Sequence, residues 1–182
     1  MTTGPITIGV SSCLLGEQVR YDGLPKRNAY ISDTLNRFFR YIPVCPEVGC
    51  GLPVPREAMR LEGDPSAPRL MTIQTRMDMT GPMQEYCRAK ARELAYEEMC
   101  GFIFKTRSPS CEPFGIDVFH DGLPAGRTSG LFAAAIIRHF PGLPVEHEER
   151  LQDPEIRAAF MAQVMGYRHR SESLTETGNR SM

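Results

Sequence analysis

Ile6-Thr-Ile-Gly-Val-Ser-Ser-Cys13, a stretch of helical periodicity from about Arg27 to Arg40, and Tyr41-Ile-Pro-Val-Cys45 decide the fold. The first run carries Ile6, Ile8 and Val10 and is rich in β-branched residues, the pattern of a buried strand. Ile31, Leu35, Phe38 and Phe39 then fall on one face at helical spacing. A second strand, Tyr41 to Cys45, follows almost at once. Strand, helix, strand is the unit that builds parallel sheets, with a right-handed crossover. A cysteine ends each of these two strands, and Cys111 closes the loop that follows the apolar run Phe102-Ile-Phe104. In open α/β sheets the ligand crevice lies outside the carboxyl ends of the strands. Three thiols from distant segments would therefore arrive at one edge.

The rest of the chain extends this pattern. Cys45 to Arg56 is too dense in glycine and proline for a regular element and reads as an ordered loop. Between 57 and 80, a polar turn at Gly63 to Pro68 precedes a strand from Leu70 to Gln74, part of an antiparallel excursion. Met83 to Cys100 reads as a helix with Cys87, Ala91, Leu94, Ala95 and Met99 on one stripe, stopped by Gly101. Strands are predicted at Phe102–Phe104, Ile116–Phe119 and Leu143–Glu146, with a loop over Asp121–Gly126. A helix from Ser129 to His139 turns Leu131, Ala135 and Ile136 inward. Asp153-Pro154 forms the N-cap and first-turn pair of a last helix carrying Ile156, Phe160, Val164 and Tyr167. The expected architecture is one α/β domain over residues 1–170. Its sheet is mostly parallel with helices on both faces, a Rossmann-like three-layer arrangement, and a polar, disordered tail covers 171–182.

With 182 residues, 41% hydrophobic and 24% charged, the chain has the length and composition of one globular domain. A net charge of −1 without a basic block gives no electrostatic footing for polymeric nucleic acid or a membrane surface. No apolar run reaches the roughly 18 residues that span a bilayer, and the N-terminus lacks the pattern of a secretory signal. A cytoplasmic location is expected, where six cysteines serve as thiols or metal ligands rather than disulfides.

Among the cysteines, Cys87 lies on a helical apolar stripe and Cys100 abuts a helix end, so both read as core packing. Cys13, Cys45 and Cys111 lie in Ser/Pro/Gly-rich loops after strands. By spacing alone they fit a metal site and unrelated loop thiols equally well, and Cys50 competes with Cys45 as a ligand. Three thiolates without a fourth protein ligand would leave one iron of a cubane cluster open, a Lewis acid for a soft atom such as sulfur. Glu47, two residues past Cys45, is a candidate general acid or base, although a loop glutamate is more often simply solvated. Ser108 and Ser110, flanking Pro109, either bind a ligand or cap the loop. Ser12 sits in a small-residue turn suited to close ligand approach, and Asp22 in Tyr21-Asp-Gly suits turn chemistry. Arg20, Lys26, Arg27, Lys105 and Arg107 either line an anionic pocket or are ordinary surface charge, and surface charge is the safer reading.

Three ordered motifs carry a resemblance. Ile8-Gly-Val-Ser-Ser-Cys-Leu-Leu-Gly-Glu-Gln-Val-Arg-Tyr-Asp-Gly23, then Val44-Cys-Pro-Glu-Val48 with Gly51-Leu-Pro, then Lys105 to Cys111 with Ser-Pro-Ser-Cys, are similar to the thiouracil desulfidase family. The resemblance runs from about residue 6 to about 145. It implies an oxygen-sensitive [4Fe-4S] cluster on Cys13, Cys45 and Cys111, and removal of sulfur from small thiolated nucleobases such as 2-thiouracil. It also implies Glu47 as acid/base residue and Ser108 as substrate partner, with Ser12, Asp22 and Ser110 as further substrate-binding candidates. The substrate's sulfur would bind the open iron, water would attack the C–S carbon, and sulfide would leave. Cys50 departs from the family pattern as a second cysteine in its loop. Two alternatives stand beside this reading: a non-catalytic α/β module binding a nucleotide or metal, and a thiol oxidoreductase using Cys45 and Cys50.

Overall fold

The computed structural model of the protein describes residues 4–178, with side chains to residue 171. In chain order the regular elements are β1 (Ile6–Ser11), β2 (Phe39–Val44), a single-turn α1 (Pro46–Gly49), β3 (Met59–Asp64), β4 (Ala67–Thr72) and α2 (Thr80–Tyr96). There follow β5 (Phe102–Phe104), β6 (Ile116–His120), β7 (Leu123–Thr128), α3 (Leu131–His139), β8 (Val145–His147) and α4 (Pro154–Gly178).

Four strands form a parallel sheet in the order β2-β1-β5-β8. Its two faces bury different side chains. Phe102 and Phe104 point to one side, where they pack with Met83, Cys87 and Leu94 of α2 and Phe132 and Ile136 of α3. Ile103 points to the other, with Ile8 and Val10 of β1, Ile31 and Leu35 of the β1–β2 crossover, and Phe160 and Val164 of α4. Burying each such side chain contributes about 1.5–3 kcal/mol, so the alternation along β1 and β5 fixes which helices cover which face. The three-layer arrangement follows from that alternation.

Gly9 is the adjustment that lets the faces close. It pairs with Phe102 across the β1–β5 ladder, and a Cβ there would lie 2.3 Å from the Phe102 ring. Phe102 stacks on Phe104 at 4.1 Å and meets Phe132 edge-on. Pro43, which has no N–H to give to a ladder, is tolerated because β2 is an edge strand.

A second, mixed sheet in the order β4-β3-β6-β7 was not foreseen as a sheet. β3 pairs antiparallel with β4 and parallel with β6, and β6 pairs antiparallel with β7. Leu61, Leu70 and Val118 turn its inner face into the cluster that holds Phe102 and Phe132. The antiparallel excursion at β4 is present but starts three residues before Leu70 and ends at Thr72. The expected loop Asp121–Gly126 is mostly β7.

Other boundaries differ for local reasons. The Arg27–Arg40 crossover is a π turn over Tyr30–Thr34 and a 3-10 turn over Leu35–Arg37, not a full α-helix. Phe39 belongs to β2, and Phe38, expected inward, is 56% exposed. α2 ends at Tyr96, where Glu98 takes a positive φ of 50°. Gly101 is therefore not its stop; it serves close packing, since a Cβ would meet Val164 at 2.9 Å. Ala95 is exposed, and α3 turns Phe132 and Ala133 inward with Ile136, shifting the expected face by a residue or two. Asp153 caps α4 by accepting the Glu155 N–H at 2.8 Å. α4 continues to Gly178, past the boundary given to the tail, and residues 179–182 lie outside those described.

Candidate active site

Parallel pairing brings the carboxyl ends of β1, β2 and β5 to one edge. Cys13 lies in the 3-10 turn Ser12–Leu15 directly after β1, and Gly16 ends that turn with φ 98°. Cys45 follows β2 as the N-cap of α1, whose first residue, Pro46, is pre-set for a helix start. The expected irregular loop thus contains one helical turn. Cys111 closes the loop after β5, and that loop is docked on the start of α3. Leu131 N–H donates to the Pro109 carbonyl at 3.1 Å, and the Phe132 and Ala133 N–H groups to the Ser110 carbonyl at 2.9 and 3.1 Å. Gly130 permits this approach, because a Cβ would lie 2.5 Å from the Ser110 carbonyl carbon.

The three thiols line one cavity of about 410 Å³. Glu47, Ser12 and Ser108 share its wall, with Arg20, Lys26, Arg56, Lys105 and Arg107 adding positive charge. Four of the five basic residues read as surface charge therefore face the cavity. Arg27 does not, and pairs with Asp33 instead.

All six cysteines are free. Burial pushes the Cys13 thiol up to about 12, with the Lys105 ammonium pulling the other way. Burial also raises Cys45. Cys111 is raised well above the usual thiol range by burial, then by the charges of Glu47, Cys45 and Cys13, while a hydrogen bond from Ser11 opposes this. A neighbouring thiol's charge thus raises both Cys13 and Cys111, and a bound cation would offset that cost by replacing the protons. Among the described residues no three His, Cys, Asp or Glu side chains converge as a single metal ion requires. A donor set of three separated, desolvated thiols on one cavity fits a group several atoms across, such as an iron–sulfur cluster, better than one ion.

Cys50 does not line the cavity. Its thiol donates to the Glu47 carbonyl at 3.2 Å, and its side chain packs against the α2–α3 core. Cys87 is buried in that core and Cys100 in the opposite one, as expected.

Glu47 has defined partners rather than solvent. Its Oε1 accepts the Ser110 hydroxyl at 2.9 Å, and its Oε2 accepts Arg56 Nε at 3.0 Å and Arg56 Nη2. Ser110 is fully buried and spends its hydroxyl on Glu47, so it supports the carboxylate from behind the cavity wall. Ser108 does both things left open for it. Its Oγ accepts the Ser110 and Cys111 N–H groups at 3.2 and 3.1 Å, and its own proton remains to donate toward the cavity it lines. Asp22 lies off the cavity wall, pairing with Arg20 at 3.1 Å and accepting the Leu24 N–H at 3.0 Å.

Three residues escaped the sequence reading. Arg56 faces Glu47 from nine residues away. Ser11 accepts the Lys105 N–H at 2.9 Å and supports Cys111. Glu148, 6% exposed, pairs with Lys105 and accepts the Thr106 N–H at 2.9 Å, fixing the start of the Cys111 loop. Arg56, in the Pro-Val-Pro-Arg run, is the one with a local signal, a charge at the end of a rigid Gly/Pro-rich loop.

A family model described as 2-thiouracil desulfurase matches residues 8–148, well over half of the chain. The chain belongs to the 2-thiouracil desulfurase family. It is therefore an enzyme of a family that cleaves a carbon–sulfur bond. A solved structure of a [4Fe-4S]-dependent thiouracil desulfidase, TudS, is similar at 28% identity and a TM-score of 0.66, covering 85% of this chain and 98% of that one. No curated protein matches. The desulfurase match ends just past β8, so α4, which closes the second face of the sheet, lies beyond it.

Proposed function

We propose that this chain hydrolyses the thiocarbonyl of thiouracil-like nucleobases to the oxo compound and sulfide, using a [4Fe-4S] cluster held by Cys13, Cys45 and Cys111. The observation that carries this is the meeting of three desolvated thiols with the anchored Glu47 carboxylate in one cavity at the carboxyl edge of the parallel sheet. Held by three thiolates, the cluster would supply a Lewis-acidic iron with affinity for the substrate's sulfur.

The chain's own residues do the rest. Glu47 takes a proton from the attacking water on Oε1, which keeps a lone pair beyond the one Ser110 uses. The Ser108 hydroxyl donates to the exocyclic carbonyl oxygen of the substrate, and Ser12 closes the wall beside Cys13. Lys105, paired with Glu148, places positive charge beside Cys13 and offsets the anionic thiolates. Atoms balance as thiocarbonyl plus water gives carbonyl plus hydrogen sulfide, with no change in oxidation state.

The partner is a small thio-nucleobase. Among the described residues no helix is long and apolar enough to cross a membrane, and six free cysteines suit a reducing cytoplasm. The test is sulfide release from 2-thiouracil by anaerobically reconstituted protein. Glu47→Gln should keep the cluster absorbance and lose about a hundredfold or more in rate, the usual scale of a missing general acid or base. Undiminished turnover in that variant removes Glu47 from the chemistry.

A further inference from the structure

Arg56 is the most occupied side chain at the cavity, and none of the roles above uses it. Its side chain is 4% exposed. Nε and Nη2 both donate to Glu47 Oε2. Nη2 also donates to the Val19 carbonyl at 3.0 Å, and Nη1 to the Pro53 carbonyl at 3.2 Å. Its backbone N–H donates to the Tyr21 carbonyl at 2.8 Å. Val19, Arg20, Tyr21 and Lys26 belong to the segment between Gly16 and Tyr30, which has no regular structure and forms part of the cavity wall. Cys45 Sγ lies 3.8 Å from the same Val19 carbonyl.

We infer that Arg56 is a positioning residue for the desulfidation: it sets the direction of the Glu47 carboxylate and straps the 16–29 segment to it, so that mouth and acid move as one unit. The inference rests on the role proposed for Glu47. Four of the five guanidinium N–H groups are spent on protein acceptors, which leaves too few for Arg56 to be an anion-binding group for substrate. Two donors on one carboxylate oxygen, with Ser110 on the other, hold the carboxyl plane against rotation. A misplaced base loses rate steeply with distance. A lysine would keep the charge but loses the second donor to Glu47 Oε2 and the bond to the Pro53 carbonyl, because one ammonium replaces the three nitrogens of the planar fork.

The experiment compares Arg56→Gln and Arg56→Lys in the unsubstituted enzyme and in Glu47→Asp, all handled anaerobically, with iron and acid-labile sulfide measured and folding checked by thermal denaturation. Arg56→Gln should keep full iron content and lose about tenfold or more in kcat. Arg56→Lys should recover part of kcat, because an ammonium restores one charged donor to Glu47 but not the paired hold of Nε and Nη2. In Glu47→Asp the shortened carboxylate has already left the guanidinium, so Arg56→Gln should cost less than about threefold further. An equal loss in both backgrounds would overturn the inference, as would an unchanged kcat in Arg56→Gln. Loss of the cluster in both Arg56 variants would also overturn it, since Arg56 would then be part of the framework that holds the iron. A Glu47→Gln variant at full rate would instead sink the reading of Glu47, and the inference with it.

Discussion

Glu47 and Cys111 show how much a single side chain depends on its neighbours here. Glu47 carries a charge-assisted pair with Arg56 and a hydrogen bond from a fully buried serine, so removing Ser110's hydroxyl should loosen the carboxylate without emptying the cavity. Ser110→Ala is expected to lower the rate of sulfide release by about tenfold at unchanged iron content; an unaltered rate would show that Arg56 alone orients Glu47. That Cys13, Cys45 and Cys111 share a cavity wall was legible in the sequence, because a cysteine at a strand end needs only the strand to be placed. Arg56 was not. Its contacts with Glu47 and Val19 form only once the Cys45–Arg56 loop folds back on the β1 side of the cavity, and nothing in local spacing encodes that return. Ser110 was read as a ligand contact or a cap; its contact with Glu47, 63 residues away in the chain, is equally invisible to local patterning.

Two glycines and one carboxylate carry the element-scale predictions. Gly130→Ala puts a methyl against the Ser110 carbonyl and the Cys111 N–H at 2.5–2.8 Å, where backbone has to give. It should cost about 1–3 kcal/mol in denaturant unfolding and reduce cluster occupancy, because the Cys111 loop hangs on the start of α3. A variant with full stability and full iron would show that this docking does not position Cys111. Gly9→Ala, pressing on the Phe102 ring rather than on backbone, should destabilise the core by a similar amount and leave a correctly loaded cluster in the folded fraction.

In the second sheet, Glu62 receives Arg76 at 2.5 and 2.6 Å and Arg60 at 2.6 Å. Arg76 first, and then Arg60 against the cost of burial, hold its carboxyl down at about 2 rather than 4.5. A group depressed on folding stabilises fully above its unfolded value and loses that contribution as pH falls through its folded value. Glu62→Gln should therefore lower the denaturation midpoint at pH 7, with the difference shrinking between pH 4.5 and about 2. A difference independent of pH would contradict the assignment. This sheet was the least legible part of the fold. β3 reads Met-Arg-Leu-Glu-Gly-Asp, which alternates over only four residues before a glycine, and β7 reads Leu-Pro-Ala-Gly-Arg-Thr and leaves most of its side chains exposed, so neither carries the β-branched apolar run that marked β1. Pairing with β6, not intrinsic pattern, makes β7 a strand.

Across the whole molecule, parallel order does the work that lets separate motifs become one site. Because β2, β1 and β5 run the same way side by side, their carboxyl ends share an edge, and each delivers one cysteine to it. The order strand, helical crossover, strand over β1 and β2 marked a parallel sheet, which is why the fold class was legible in the sequence. The exact helix ends were not, since Gly101 and Phe38 answer to packing contacts made by distant strands and helices. The central claim is that Cys13, Cys45 and Cys111 together hold the cluster on which desulfidation depends. Its most direct measurement is anaerobic reconstitution with iron and sulfide, followed by the visible absorbance of the cluster and sulfide release from 2-thiouracil, for the unsubstituted chain and for Cys13→Ala, Cys45→Ala, Cys111→Ala, Cys50→Ala and Cys87→Ala. The first three variants should lose both signals and the last two should keep both; a Cys13→Ala, Cys45→Ala or Cys111→Ala protein with a complete cluster and full turnover would contradict the account.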